Sequence, residues 1–230
     1  MTCYKKHVFF TCAFFISFGA GNFFILPVAS GGNLLRAASD IYDWRPIFNL
    51  AEKYYLGQGV SQDYFQARQL YATIVGQRHD LAVQAHAQAR LGECYYFGFG
   101  VVQNFGRARE LFEQARSYEF FRSWPYWTQV QGCLADIYFH GLGIEKNFAQ
   151  ARMLYESVAG QQGDVMAQSA AWVCLGLINY LGGDGVVVNR AQAFLYWRRA
   201  ADQTYNISAR RKAREFLREM DQPIFAASAA

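Results

Sequence analysis

The 230-residue chain is 53% apolar, 17% aromatic and 17% charged, with four prolines and a formal charge of +4. That composition excludes disorder, collagen and a coiled coil, and no internal run of Gly, Ser, Pro or like charge marks a linker, so one continuous folded body is expected. Lys5 and Lys6 stand in a leader; beyond it twenty basic side chains face eighteen acidic ones, and no basic block points to nucleic acid.

Residues 1–30 place those two lysines before an apolar run from Val8 to Val28, with no acidic residue before Asp40. This is the grammar of an export signal. Cleavage after Ser30 would use Val28 and Ser30 as its small residues, and cleavage after Gly21 would use Gly19 and Gly21. The run also matches the ~20 apolar residues that span a bilayer, so an uncleaved N-terminal membrane anchor is the alternative. Either reading puts the body outside the cytosol, periplasmic or secreted, or held at the inner membrane. Cys94, Cys133 and Cys174 remain after the leader, an odd number that allows at most one internal bridge. Their spacing gives no zinc motif, and buried thiols are expected.

After the leader one unit recurs four times. Its turn reads YYLGQGVSQD, YYFGFGVVQN, YFHGLGIEKN and YLGGDGVVVN, ending on Asp63, Asn104, Asn147 and Asn189 at separations of 41, 43 and 42 residues. An alanine follows four residues later: Ala67, Ala108, Ala151 and Ala193. Upstream, Leu50, Leu91, Leu134 and Leu175 each precede a small residue, Ala51, Gly92, Ala135 or Gly176. The pattern predicts two helices around a glycine turn in each unit. Ser39, Asp80, Ser123 and Asp164 are the expected caps of the first helices, with Pro46 moving the first start toward Asp43 or kinking it. Asp63, Asn147 and Asn189, each with glutamine three residues on, predict reciprocal capping boxes for the second helices; Asn104 has Arg107 there instead. Gly57, Gly98, Gly141 and Gly183 are the expected left-handed stops.

Leucine and the residue four on share a face of the first helix, while Ala67 with Tyr71, Ala108 with Phe112, Ala151 with Tyr155 and Ala193 with Trp197 pair small with large on the second. One helix pair cannot bury its apolar face alone, so the units must stack. The expected fold is all-α: a right-handed α-solenoid of four helix-turn-helix repeats with a C-terminal capping helix. The leader occupies 1–30 and the solenoid 31–220. Its repeats span about 39–79, 80–122, 123–163 and 164–203, its cap 207–220, and 221–230 is a disordered tail.

The pattern L-(A/G)-x-x-Y-x-x-G-x-G-V-x-x-(D/N)-x-x-x-A, recurring over about residues 40–201, resembles the Sel-one-like repeat family, relatives of the tetratricopeptide repeat. The resemblance implies a protein-binding scaffold, often exported in bacteria and serving envelope assembly, signalling or host contact. The units here are longer than the family's, and the fourth turn carries one extra residue, Gly182 or Gly183. If they stack as in tetratricopeptide arrays, the first helices line the inner groove. Positions two and five after the marker leucine then face it: Glu52 and Tyr55, Glu93 and Tyr96, Asp136 and Phe139, Leu177 and Tyr180. Such a ladder offers carboxylates and flat apolar area to a protein or peptide partner. The opposing reading buries these aromatics against the neighbouring repeat and pairs the acids.

Arg68, Arg109 and Arg152 form a basic ladder on the second helices, read as solvated or ion-paired faces. Phe120, Phe121, Trp124, Tyr126 and Trp127 enter the third unit as a packing cluster. Some family members are credited with hydrolase-like activity on β-lactams, but no S-x-x-K, G-x-S-x-G or H-E-x-x-H motif occurs and the histidines are scattered. The chain is therefore read as a non-enzyme that needs no cofactor or metal and touches a membrane only through an uncleaved N-terminal segment. Asn206-Ile207-Ser208 would be a glycosylation acceptor in a eukaryotic secretory pathway.

Overall fold

The computed structural model describes residues 43–221, apart from 78, 79, 124, 125 and 162. The leader with its cleavage sites, Ser39, His79, Trp124 and the tail from 222 onward lie outside the described residues. Helices fill the rest: α1 (Arg45–Leu56), α2 (Tyr64–Val75), α3 (Leu81–Phe97), α4 (Phe105–Arg116), a 3-10 turn (Glu119–Ser123), α5 (Trp127–His140), α6 (Phe148–Gly160), α7 (Val165–Leu181), α8 (Arg190–Ala201) and α9 (Ile207–Asp221). Among the described residues there is no strand, only an isolated bridge between Gly183 and Val186. The pairs α1/α2, α3/α4, α5/α6 and α7/α8 stack in chain order, and α9 closes the stack against α8 and α7.

Short polar side chains set the helix starts. Asp80 accepts from the N–H groups of Ala82 and Val83 at 3.1 Å, and Asp164 accepts from Ala167 at 2.9 Å. Helix α1 begins at Arg45, whose N–H bonds Asp43 at 3.0 Å; Pro46 lies in the first turn, where a missing N–H costs no helical bond. The third unit departs from expectation. Ser123 closes the 3-10 turn, and α5 begins only after Tyr126, without a side-chain cap. Burial is the reason: Phe121 is fully buried and Trp127 nearly so, and anchoring these two rings delays the helix.

The second helices share one device. Asp63, Asn104, Asn147 and Asn189 accept from the N–H groups of Gln66, Arg107, Gln150 and Gln192 at 2.9–3.0 Å. The expected reciprocal bond does not form. Instead the backbone N–H of each capping residue donates to the carbonyl of Tyr54, Tyr95, Tyr138 or Asn179, at 2.9, 2.9, 2.9 and 2.7 Å. The cap thus ties the second helix back onto the end of the first, and the glutamine side chain has no part in it. This explains why Asn104, with Arg107 in the third position, caps as well as the others.

Gly57, Gly98 and Gly141 end the first helices with φ near +70°. In the fourth unit Gly182, not Gly183, takes that place, because the extra residue is absorbed in a four-residue excursion of positive φ from Gly182 to Gly185. Successive turns also stack. A Cβ on Gly100 would lie 2.5 Å from the Tyr64 carbonyl, and Arg68 Nε donates to the Gly100 carbonyl at 3.1 Å. Only glycine lets the turn of one unit touch the second helix of the unit before it.

The core is a column of small-on-large contacts. Ala67, Ala108, Ala151 and Ala193 are fully buried, as are Tyr71 and Phe112, while Tyr155 and Trp197 are 3% and 1% exposed. Where the second-helix ring is Phe112 or Trp197, the facing residue is Gly92 or Gly176, and a methyl group there would overlap the ring. Helix α9 buries Ala209 and Ala213 and stacks Phe216 on Trp197 at 4.8 Å, so its apolar stripe seals the last pair and its charged face ends the array.

Candidate functional site

The first-helix residues singled out by spacing do come together, and they do so across repeats. Tyr55 of the first unit donates its hydroxyl to Glu93 of the second at 3.2 Å, and Tyr96 of the second donates to Asp136 of the third, also at 3.2 Å. Each carboxylate takes a further donor. Tyr71 and Tyr155, on the second helices of units one and three, donate to Glu52 and Asp136 at 2.5 and 2.6 Å. Unit two has Phe112 in that position, and Arg90 replaces the missing hydroxyl.

Arg90 is the hub. Its Nε and Nη2 grip the two oxygens of Glu52 at 2.8 Å each, and Nη1 donates to Glu93 at 2.9 Å. Its guanidinium lies 4.8 Å from the Tyr55 ring centroid and 3.8 Å from that of Tyr126. The side chain is 3% exposed, that of Glu93 fully buried and that of Glu52 18% exposed. A bidentate, stacked guanidinium is the arrangement in which arginine holds carboxylates most firmly.

Electrostatics follow the burial. Desolvation pushes the Glu93 carboxyl above its ordinary range against the pull of Arg90, and raises Asp136 against the hydroxyls of Tyr155 and Tyr96. Burial opposes the charge on Arg90, but the hydrogen bonds and charges of Glu52 and Glu93 outweigh it, so the guanidinium is held protonated more firmly than usual. Burial and then the neighbouring acids raise Tyr55, Tyr71 and Tyr96; burial, Cys174 and Asp136 raise Tyr155. The hydroxyls stay donors. Burial likewise lifts Cys94 to about 12, Cys174 to about 11, and Cys133 well upward, which makes all three poor nucleophiles. All three are free thiols.

The fourth rung is different. Phe139 is buried and stacks 5.4 Å from Phe148, and its opposite number is the apolar Leu177. Tyr180 is 36% exposed, tilted against Trp197 at 5.5 Å with the Arg190 guanidinium 5.6 Å over its ring. Glu52, Tyr55, Tyr96 and Asp136 are half-buried. Of the basic ladder, Arg68 bonds the next turn and Arg152 lies 3.7 Å from Glu156, while Arg109 presents a buried Nε without a hydrogen-bond partner among the described residues. Phe121 and Trp127 are packed, with ring centroids 5.8 Å apart.

Sequence spacing missed Arg90. Its signal was an absence: unit two alone combines a first-helix carboxylate with a second-helix ring lacking a hydroxyl, so another donor had to be present. Among the described residues no group of His, Cys, Asp and Glu is arranged to hold a metal ion.

Stacked helix pairs joined by glycine turns define an α-solenoid. The family model of the Sel1 repeat matches residues 47–73, 85–117, 134–161 and 169–205, more than half of the chain, which therefore belongs to the Sel1 repeat family. A Sel1 repeat protein from Oxalobacter formigenes is similar at 23% identity over 74% of this chain and 67% of its own, with a TM-score of 0.52. A protective antigen of uropathogenic Escherichia coli strains displaying an SLR fold is similar at 22% identity over 83% of this chain and 44% of its own, with a TM-score of 0.48. No curated protein matches. These likenesses concern the fold. Sel1 repeat proteins are generally scaffolds that bind other proteins and are typically non-catalytic.

Proposed function

We propose that this chain is an exported adaptor of the bacterial envelope, periplasmic or secreted, that binds a partner protein or peptide on the face of its first helices. The observation that carries the reading is Tyr180, exposed at the end of a first-helix row in which Glu52, Tyr55, Tyr96 and Asp136 are half-buried; Glu93 and Phe139, expected to face a groove, are buried by packing and offer a partner no surface. Hydrogen bonds to Glu93 and Asp136 hold the half-buried rings of Tyr55 and Tyr96 in place, and side chains already ordered lose little entropy when a partner docks. Tyr180, the exposed member, is the side chain a partner meets first. Export rests on the leader grammar of residues 1–30.

In-cell photo-crosslinking tests the surface, with a photoreactive residue at Tyr180 and a control on α4 at Arg109. Capture of one protein at Tyr180 alone is expected; capture only at Arg109 moves the surface to the second helices. A second reading is favoured by the length of the apolar run from Val8 to Val28: the leader stays uncleaved and tethers an assembly or regulatory factor to the membrane. Retention in membranes after carbonate washing would establish the tether, and a mature N-terminus at residue 22 or 31 would exclude it.

A further inference from the structure

Helix α9 closes the array, and its outer side divides into two stripes of unlike charge. Lys212, Glu215 and Glu219 follow one line, along which Lys212 donates to Glu215 at 3.2 Å. Ile207, Arg210, Arg211, Arg214 and Arg218 follow the other, at the spacing i, i+3, i+4, i+7 and i+11 that marks one helix face, and Asp221 ends it. Arg211, Arg214 and Arg218 are exposed and Arg210 is half-buried. Among the described residues Arg210, Arg211 and Arg214 have no hydrogen bond or ion pair.

This arrangement works against the helix taken alone. Arg210 and Arg214 stand four residues apart, as do Arg214 and Arg218, and Arg211 and Arg214 stand three apart; like charges at these spacings repel, where an acid would stabilise. Glu215, four residues after Arg211, is bonded to Lys212. The first turn of α9 holds no acid, so Arg210 and Arg211 follow at the end of the helix whose dipole favours anions. The rest of the chain offers little relief: residues 1–42 contain one acid, Asp40, and residues 222–230 contain no charged side chain. An apolar anchor stands at the head of the arginine face. Tyr205 and Ile207 are 75% and 66% exposed, and Asn206 between them donates to the Met166 carbonyl at 2.9 Å, which brings Met166, 55% exposed, to the same corner. Asp164, two residues before Met166, is committed to the N–H of Ala167. Single exposed apolar side chains are ordinary, but three together beside a face of unpaired arginines make a mixed surface of the kind that partners recognise.

We propose that this end of the solenoid is a second docking surface, for a segment of a partner protein that presents a large apolar side chain followed by a run of carboxylates. The apolar residue packs on Met166, Tyr205 and Ile207. The carboxylates take the guanidinium forks of the arginine face, which runs roughly 16 Å from Ile207 to Arg218. One polypeptide segment suits the face better than a membrane or a nucleic acid. Glu215 and Glu219 lie on the adjoining stripe, where a broad sheet of anionic headgroups or a phosphate backbone would meet them, whereas a chain laid along the arginines does not. The proposal rests on the reading of the chain as a protein-binding scaffold and adds a surface and a partner chemistry to it.

Fluorescence anisotropy on the full-length protein at about 100 mM salt tests it, with the labelled peptide Gly-Phe-Leu-Glu-Asp-Glu-Glu-Gly and its uncharged counterpart Gly-Phe-Leu-Gln-Asn-Gln-Gln-Gly. The acidic peptide should bind saturably and the uncharged one about tenfold more weakly. The double reversal Arg211→Glu with Arg214→Glu should weaken the acidic peptide about tenfold, and Ile207→Ser about threefold. Arg107→Glu with Lys146→Glu makes the same change in net charge at exposed positions away from α9, and should leave affinity within about twofold because charges more than about 10 Å apart are screened. Arg211→Ala with Arg214→Ala removes two like charges, so circular dichroism should show melting at or above the wild-type temperature while binding falls; lower melting with unchanged binding gives the arginines a structural role and overturns the site. Absence of saturable binding up to about 1 mM, equal affinity for both peptides, or an equal loss in the Arg107 and Lys146 pair also overturns it. So does a single-stranded oligonucleotide of equal charge that binds as tightly as the acidic peptide. A partner captured at Tyr180 alongside such a failure leaves the scaffold reading intact, whereas no capture on any face removes both.

Discussion

The junction between the first two units and the junction between the last two solve the same packing problem with opposite chemistry. At the first, Glu52, Arg90, Glu93, Tyr55 and Tyr71 form a buried, hydrogen-bonded network that spans α1, α2 and α3. At the last, Phe139 and Leu177 join an apolar cluster, and inside the fourth unit Trp197 lies on Gly176. The middle junction is intermediate, with Tyr96 and Tyr155 converging on Asp136, which has no salt-bridge partner among the described residues. A polar junction specifies register, because a slipped pairing leaves buried charges unpaired. An apolar junction supplies association with less discrimination. The array therefore fixes its alignment at the N-terminal end and seals itself by area at the C-terminal end.

The largest effect should come from breaking the polar junction. Arg90→Met leaves Glu93 buried beside no cation, and chemical denaturation should show a loss of about 3–5 kcal/mol. Adding Glu93→Gln should recover part of it, since Glu52 reaches water and Glu93 does not; a double variant no more stable than Arg90→Met would mean that the guanidinium acts through its stacking on Tyr55 and Tyr126 instead. Inside the fourth unit, next to the apolar junction, Gly176→Ala gains about 1 kcal/mol of helix propensity but drives a methyl group into the Trp197 indole. A net loss of roughly 1–3 kcal/mol is expected, and a gain would show that the ring is free to move.

The middle junction gives the comparison a pH axis. Burial raises Asp136 above its ordinary 3.8 in the folded protein, so folding favours the neutral acid. The stability linked to this group is fully present below the ordinary value and is lost as pH rises through the folded one. Asp136→Asn cannot titrate. As the pH falls from neutrality toward 3.8, wild type should therefore gain stability relative to the variant. Glu93 has the same sign. His86 has the reverse: burial lowers it, so its contribution is present above 6.5 and is lost as pH falls through the folded value. A wild-type-minus-Asp136→Asn difference that shrinks on acidification would show that its two tyrosines outweigh burial.

How far the sequence reveals this depends on whether a feature repeats. The helix pairs, the glycine turns and the second-helix caps recur in four registers, and spacing alone locates them. Positions two and five after each marker leucine are brought onto one face for the same reason. What spacing cannot show is that Tyr55 reaches the carboxylate of the next unit, because a helical wheel holds one unit and the offset between units is a property of packing. Arg90 escapes for a related reason, since it occurs once. Ser123 misleads because its spacing fits a helix start, whereas burial of Phe121 and Trp127 sets the entry to α5.

The caps provide the baseline against which both junctions are measured, because every unit has one and no junction chemistry enters it. Asn147→Ala removes the acceptor for the Gln150 N–H at 2.9 Å while leaving the Asn147 backbone bond to Tyr138 in place, and should cost about 1 kcal/mol. Gln150→Ala distinguishes the observed cap from a reciprocal box. With the Asn147 N–H already committed to Tyr138, the glutamine amide has no orphan donor to satisfy, and its loss should stay within about 0.5 kcal/mol. Equal losses in the two variants would restore the reciprocal box and weaken the tie between the helices of a unit. A small effect for Gln150 alone means that each hairpin is held by its own turn, so that the differences among the three junctions belong to the contacts between units.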